Sequence, residues 1–334
     1  MVWMKNPWSG TLTYFNEIHK KQYGYSVERG ASNSKPQLSQ EEFHKQMIEA
    51  KKACIFCPGN EEKTTSEILK VTYGEIFDDA EIPHGLTKDD WVFRAFHNIL
   101  PRIPEISTGG KNESYVVIED PRHYQDGAKS HDDLLFTGAL NAKQTYHLIK
   151  TNIEIVKMAY SNPSVKSVLI RKNQGLSSGA SQPHIHNQVM GADHYFPDIL
   201  QEMHVTELDP QIWQECIDCF REERWVVEDE GDIVTYRSPF GKFPMSFDLV
   251  YLSAWGMLHD LDDERLRRFT DAFHRLLNDL GPIALDYEIH HGIGIPIHLH
   301  INSRQLTYAN IGGTINVPFD MNERLLLRRR TGRE

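Results

Sequence analysis

Ser181-Gln182-Pro183-His184-Ile185-His186-Asn187-Gln188 sets two histidines and a glutamine at alternate positions of one short stretch. In extended backbone, side chains two apart share a face, so His184, His186 and Gln188 are expected on one surface. Such a surface can give one imidazole to a metal and keep the next as a nucleophile. Upstream lies the cysteine pair Cys54-Ile55-Phe56-Cys57. The pairing of these two stretches carries most of what the sequence says.

Soft thiolates and imidazoles in a two-plus-two set suit tetrahedral zinc. C-x-x-C supplies two sulfurs from one turn, and the other ligands must come from distant histidines. In the first half the candidates are His123, within Asp120-Pro121-Arg122-His123, and His184. A redox pair would need a helix start after the second cysteine. Pro58-Gly59-Asn60 is turn chemistry instead, which favours metal.

The chain has 334 residues, 40% hydrophobic and 25% charged, as in an ordinary soluble protein with a sizeable core. A formal net charge of −11 argues against broad binding to a nucleic-acid backbone but allows a local phosphate pocket. All 4 cysteines lie in C-x-x-C pairs, which reads as metal ligation before disulfides. No apolar stretch follows Met1-Val2-Trp3-Met4-Lys5 that would serve as a signal peptide or membrane span, and a cytoplasmic location is expected.

Residues 30–40 are rich in Ser, Pro and Asn and read as a mobile loop. Strands are expected over 91–100, entering a turn at Pro101, then 115–119 and 165–171, with a helix over 141–160. A Gly/Ser loop over 173–181 leads into the His184 strand. The second half echoes this order. Cys216-Ile217-Asp218-Cys219 opens it, strands are expected over 232–237 and 247–253, and a helix over 262–280 takes its N-cap among Asp260, Asp262 and Asp263. A strand with His298-Leu299-His300 closes it. The expectation is an N-terminal segment, 1–50, partly mobile, followed by two halves of one duplicated α+β unit, 51–205 and 206–334.

Two readings compete for a second metal set. One uses Cys216, Cys219, His298 and His259, of which His259 is the weakest member. Cysteines three apart in a helix can instead be small buried residues. The other uses Glu202, His291, His298 and His300, with oxygen and nitrogen ligands only.

Cys54-x-x-Cys57-Pro58-Gly59-Asn60-Glu61, Asp120-Pro121-Arg122-His123, Gly179-Ala180-Ser181-Gln182-Pro183-His184-Ile185-His186-Asn187-Gln188 and Gly312-Gly313-Thr314-Ile315-Asn316 together resemble the galactose-1-phosphate uridylyltransferase family of the histidine-triad superfamily. The resemblance is to its ADP-glucose phosphorylase-like branch. It implies duplicated histidine-triad-like half-domains, each an antiparallel sheet with packed helices, assembled as a homodimer. It implies zinc at Cys54, Cys57, His123 and His184, and His186 as the covalent nucleophile. Gln188 and Ser181 would contact the transferred phosphate, and Asn173 falls at a nucleotide-binding position. Uridylyltransferases resemble the Glu202 version of the second site, and the phosphorylase-like branch the Cys216/Cys219 version. The family's opening pattern is not cleanly present over residues 6–25. Arg94-Ala95-Phe96-His97 stands where the family often has asparagine.

The chemistry expected is in-line attack of a neutral His186 imidazole on a nucleotide α-phosphorus, then capture of the nucleotidyl group by a second phosphate. Donors for the charge that builds are the Gln188 carboxamide, the Ser181 hydroxyl and the amides of the loop from Gly175 through Gly179 to Ser181. A carboxamide at 188 has no useful pKa near neutrality, so the leaving group must already be good, as a phosphate is. Nucleotide sugars or dinucleotides as donors and phosphates or sugar phosphates as acceptors follow. A histidine-triad-type hydrolase and a non-catalytic zinc-scaffolded nucleotide-binding protein are the competing readings. Asn302 matches Gln188 in the second half, which suits a degenerate, metal-holding copy. The basic stretch 324–333 reads as a solvated helix end.

Overall fold

A computed structural model describes residues 2–8, 10, 12–15, 39–99, 113–241, 243, 245–304, 309–311 and 314–317. The loop expected over 30–38, the turn at Pro101, Gly312-Gly313 and the basic stretch 324–333 lie outside the described residues, as does most of the 6–25 opening. Along the chain, β1 (Val2–Lys5) and β2 (Leu12–Phe15) precede α1 (Gln40–Ala53), β3 (Glu67–Thr72), β4 (Trp91–His97) and β5 (Ser114–Ile118). Helix α2 (Ala142–Tyr160), β6 (Ser167–Gln174), β7 (His186–Ala192), α3 (Pro197–Leu208) and α4 (Ile212–Glu222) follow. Then come β8 (Val226–Asp229), β9 (Ile233–Arg237), β10 (Ser246–Gly256), α5 (Asp263–Leu280), β11 (Leu285–His290), β12 (Gly292–Ser303), β13 (Ala309–Ile311) and β14 (Thr314–Val317). The class is α+β, with antiparallel sheet and packed helices.

The chain divides into two compact units, Lys35–His194 and a second made of Met1–Ser34 with Tyr195–Glu334. In the first, the strands run β3-β4-β5-β7-β6, all antiparallel. Every residue of β5 is buried, which is why Tyr115-Val116-Val117-Ile118 reads as a continuous apolar run rather than an alternation. Helix α2 starts where the Asn141 side chain accepts from the Gln144 amide, and its buried face packs on β6 and β7. Helix α1 begins with a Ser39/Glu42 capping box and ends at Cys54, so it delivers the cysteine turn.

In the second unit the order β11-β12-β10-β9-β8 is likewise antiparallel, and β1-β2-β14-β13 form a separate small sheet. Helix α5, capped by Asp262, buries Leu266, Phe269, Phe273, Leu276 and Leu277 against β9 and β10. Helix α4 buries Trp213, Ile217 and Phe220 into a cluster with Trp8, Tyr236 and Phe240. Among the described residues no helix is long and apolar enough to cross a membrane.

Candidate active site and metal centres

Cys54, Cys57, His123 and His184 converge, each with a ligand atom within 4.8 Å of the others. All four are buried. The Sγ of Cys57 lies 3.2 Å from His123 Nδ1 and 3.4 Å from His184 Nδ1, and that of Cys54 lies 3.7 Å from His184 Nδ1. Ligand bonds of zinc length put tetrahedral ligands about 3.3–3.8 Å apart, so the spacing suits such an ion. The tautomer agrees. His184 Nε2 faces the Asp120 carbonyl oxygen at 2.7 Å, so it must carry the proton, which leaves the Nδ1 lone pair toward the sulfurs.

Asp120 anchors this arrangement from below. Its buried carboxylate accepts from the Arg122 amide and guanidinium and from the Gln144 side chain, so its carbonyl is held for His184. The cysteine turn is held in turn by Asn60, whose amide donates to the carbonyls of Cys54 and Lys51. The Cys54 thiol is drawn down to about 2, chiefly by the Cys57 thiol, while Cys57 is pushed up by Cys54 and by burial. A cation bound to both sulfurs removes that conflict. The donor set therefore fits a metal such as zinc, which would hold the turn, the Asp120 loop and the His184 segment together.

Strand β7 begins at His186, so His184 precedes the strand instead of lying in it. His186 Nδ1 donates to the His184 carbonyl oxygen at 2.8 Å, because a carbonyl can only accept. The lone pair then resides on Nε2. Burial first, and the Lys172 ammonium second, press the His186 pKa down to about 4, so the ring is neutral near pH 7. Phe56, between the two cysteines, meets the His186 ring edge-on with centroids 5.0 Å apart. The sequence reading passed over Phe56. Its place inside C-x-x-C was the available signal.

Gln188 Oε1 is buried without a hydrogen-bond partner. Oxygen and nitrogen of an amide are interchangeable by a flip, so an NH2 donor can occupy that position. Ser181 and Gly179 are exposed. Asn173 is committed within the protein: its Nδ2 donates to the Ser178 carbonyl at 2.6 Å and its Oδ1 accepts from Arg171 at 2.8 Å. Gly175 and Gly179 take φ of 80° and 82°, which glycine adopts without strain. The amides of Ser178, Gly179 and Ala180 donate to carbonyls within the loop. The expectation that the whole loop offers its amides to phosphate is corrected for these three.

In the second unit Glu202, His290, His298 and His300 form another set of four ligand atoms within 4.8 Å. His290 replaces the expected His291. The β11–β12 register sets His290 opposite His298, so the two side chains share a face, whereas His291 falls in the connection. His291 is instead depressed to about 3 by burial first and by the neighbouring His259 second. His298 donates through Nδ1 to the Pro296 carbonyl at 2.7 Å, and its buried Nε2 lies 3.3 Å from Glu202 without a hydrogen bond. His300 Nδ1 pairs with Asp248 at 2.6 Å, and His290 Nδ1 lies 3.0 Å from both Glu202 oxygens. Burial opposes the charge of Glu202, but His290 and His298 hold its pKa well below the carboxylate range. Burial likewise opposes protonation of His290, and Glu202 raises it to about 9. A carboxylate with three imidazoles and an orphaned buried nitrogen fits a metal. A cavity of about 60 Å3 lined by Asp248, His300 and Asn302 adjoins it.

The alternative set of Cys216, Cys219, His259 and His298 is not gathered. Cys216 packs half-buried against the Trp213 cluster and Cys219 is exposed on α4. The α4 residue against His298 is Trp213, with ring centroids 4.8 Å apart.

Solved structures with the same architecture include an ADP-glucose phosphorylase from Arabidopsis thaliana with bound ADP-glucose, at TM-score 0.69 and 17% identity, covering 98% of both chains. A GalT-like protein from Arabidopsis thaliana gives 0.68 and 16% over 98% of both chains. A uridylyltransferase mutant gives 0.60 and 16% over 99% of this chain and 97% of that one. The fold is thus that of the galactose-1-phosphate uridylyltransferase-like proteins. A curated relative, the ADP-glucose phosphorylase of Arabidopsis thaliana, is 24% identical over 226 residues, 63% of this chain and 58% of that protein, so the match spans under two thirds of the relative. The chain belongs to the family DUF4921, described as a domain of unknown function, which matches residues 97–317.

Proposed function

We propose that this protein moves a nucleoside monophosphate from a nucleotide sugar or dinucleotide to a phosphate acceptor by way of His186. The observation that carries the reading is the 2.8 Å bond from His186 Nδ1 to the His184 carbonyl, which leaves the ring's lone pair on Nε2. The Nε2 lone pair attacks the α-phosphorus in line. The bond to the bridging oxygen breaks, and that oxygen leaves with its electron pair on the distal phosphate. An oxygen of the acceptor phosphate then attacks the same phosphorus and the P–N bond breaks, returning the lone pair to Nε2.

Gln188 and Ser181 would donate to the non-bridging oxygens, with Gly179 shaping the loop beside them. Asn173 would act on the nucleotide through the loop it holds, since its own amide is engaged. Zinc on Cys54, Cys57, His123 and His184 would supply rigidity, because four protein ligands leave no open position. The Glu202 set would hold a second metal in the half that carries Asn302 where the first carries Gln188, the two halves being copies of one histidine-triad-like unit. ADP-glucose is the first donor to try, since a curated relative is an ADP-glucose phosphorylase.

The test is intact-mass analysis after brief exposure to ADP-, UDP- and GDP-glucose. A nucleotidyl adduct stable to mild alkali, released by acid or phosphate and missing in His186→Ala, is expected. Hydrolysis of the sugar nucleotide without any adduct, equally fast in His186→Ala, would sink it.

A further inference from the structure

Directly behind the nucleophile lies an ion pair that the chemistry above leaves unused. Lys172 and Glu119 have side-chain exposures of 1% and 0%, and the ammonium donates to the carboxylate at 2.5 Å. The ammonium also lies 3.4 Å from the His186 carbonyl oxygen. The other Glu119 oxygen accepts from the Thr137 hydroxyl at 2.6 Å, and the Thr137 amide donates to Gln174 at 3.1 Å. The circuit thus runs from the end of β5, through the Thr137 turn, to the end of β6 and the start of β7.

The β6–β7 ladder stops at Arg171 opposite Gln188. Beyond it the strands part to admit the Gly175–Gly179 loop, and His186 sits in that parted region. On its other side His186 pairs with Ile118 of β5, and from the β6 side the Lys172 ammonium reaches its carbonyl oxygen at 3.4 Å. Burying an ammonium and a carboxylate is costly, and apolar side chains of similar volume often hold strands together as well or better. Stability alone is a weak reason for the pair. What a charged clamp supplies and an apolar contact does not is a directed bond to one chosen oxygen.

We propose that Lys172, clamped by Glu119 and Thr137, is a positioning residue that fixes the His186 main chain and so the angle at which the imidazole meets a substrate phosphorus. This rests on the transfer reading for its purpose, and on the bonds around Lys172 for its existence. A displacement of about 1 Å in a reacting group can cost on the order of 100-fold in rate.

Lys172→Met alone strands a buried carboxylate, so the decisive variant is Lys172→Met with Glu119→Leu, accompanied by the milder Thr137→Val. Both are compared with the wild type, metal-loaded, for zinc content, melting temperature, single-turnover adduct formation from ADP-glucose, and the 15N spectrum of the histidine rings. The double variant is expected to keep its metal and melting temperature and to form adduct about 100-fold more slowly, with half-saturation changed less than about 3-fold. Thr137→Val is expected to fall between it and the wild type. The His186 nitrogens, a single Nδ1–H tautomer in the wild type, should become a mixture. A wild-type 15N signature in the folded double variant overturns the proposal, whatever the adduct assay gives. Altered spectra with no adduct even in the wild type would defeat the transfer reading and leave the positioning role standing.

Discussion

His184 and His186 are joined by their own backbone: the carbonyl oxygen of His184 accepts the Nδ1–H of His186 at 2.8 Å. The residue whose ring completes the Cys/His set therefore also selects the tautomer of the next histidine. A metal at the first centre would therefore be mechanically linked to the state of Nε2, with Phe56 reinforcing the link from the cysteine turn.

Cys57→Ser should therefore affect fold and chemistry together. One equivalent of zinc is expected to be lost by atomic emission, with about 3–5 kcal/mol of stability in denaturant titration. Adduct formation should disappear with it. Full zinc content in the variant would contradict the ligand assignment.

The pH dependence follows from His186, whose folded pKa of about 4 lies below the unfolded value of about 6.5. Between those values the unfolded chain binds a proton that the folded one refuses, so this residue's contribution to stability is lost as pH falls from about 6.5 toward 4. In the same window the folded ring stays neutral. Adduct formation measured by rapid quench should hold its rate down to about pH 5, whereas a rate halved near pH 6.5 would show an ordinary imidazole.

Gln188→His supplies a group that can pass a proton to a poor leaving group or take one from water. The ratio of hydrolysis to phosphorolysis, read from labelled products, is expected to rise by about 100-fold. An unchanged ratio would remove residue 188 from the choice of acceptor.

The second centre is tested by neighbours in sequence. His290→Ala should lose its metal, while His291→Ala and the pair Cys216→Ser with Cys219→Ser should keep it, as read by metal content. Glu202→Gln should also lose it, because a neutral carboxamide is a much weaker metal ligand than a carboxylate.

Much of the first centre was legible because its ligands come as local signatures. A C-x-x-C turn followed by Pro-Gly, a histidine after Asp-Pro-Arg and H-x-H-x-Q each declare themselves within a few residues. The N-cap of α5 was equally local, narrowed to three aspartates and found at Asp262. The second centre was harder because it depends on strand register. Whether His290 or His291 faces His298 is a one-residue question that only the β11–β12 pairing answers. Cys216 and Cys219 illustrate the opposite error, where a motif spacing coincides with one helical turn and the helix face is decided by Trp213 and Phe220. Lys172 and Glu119 lie far apart in sequence, and nothing local marks a lysine in a strand as buried.

The indole of Trp213, tilted against His298 with ring centroids 4.8 Å apart and bonded through Nε1 to the Thr206 hydroxyl on the helix of Glu202, has a practical consequence. Its emission should report occupancy: a paramagnetic ion arriving among those imidazoles would quench it at once, without any attached dye. The molecule carries an optical gauge of its less familiar half.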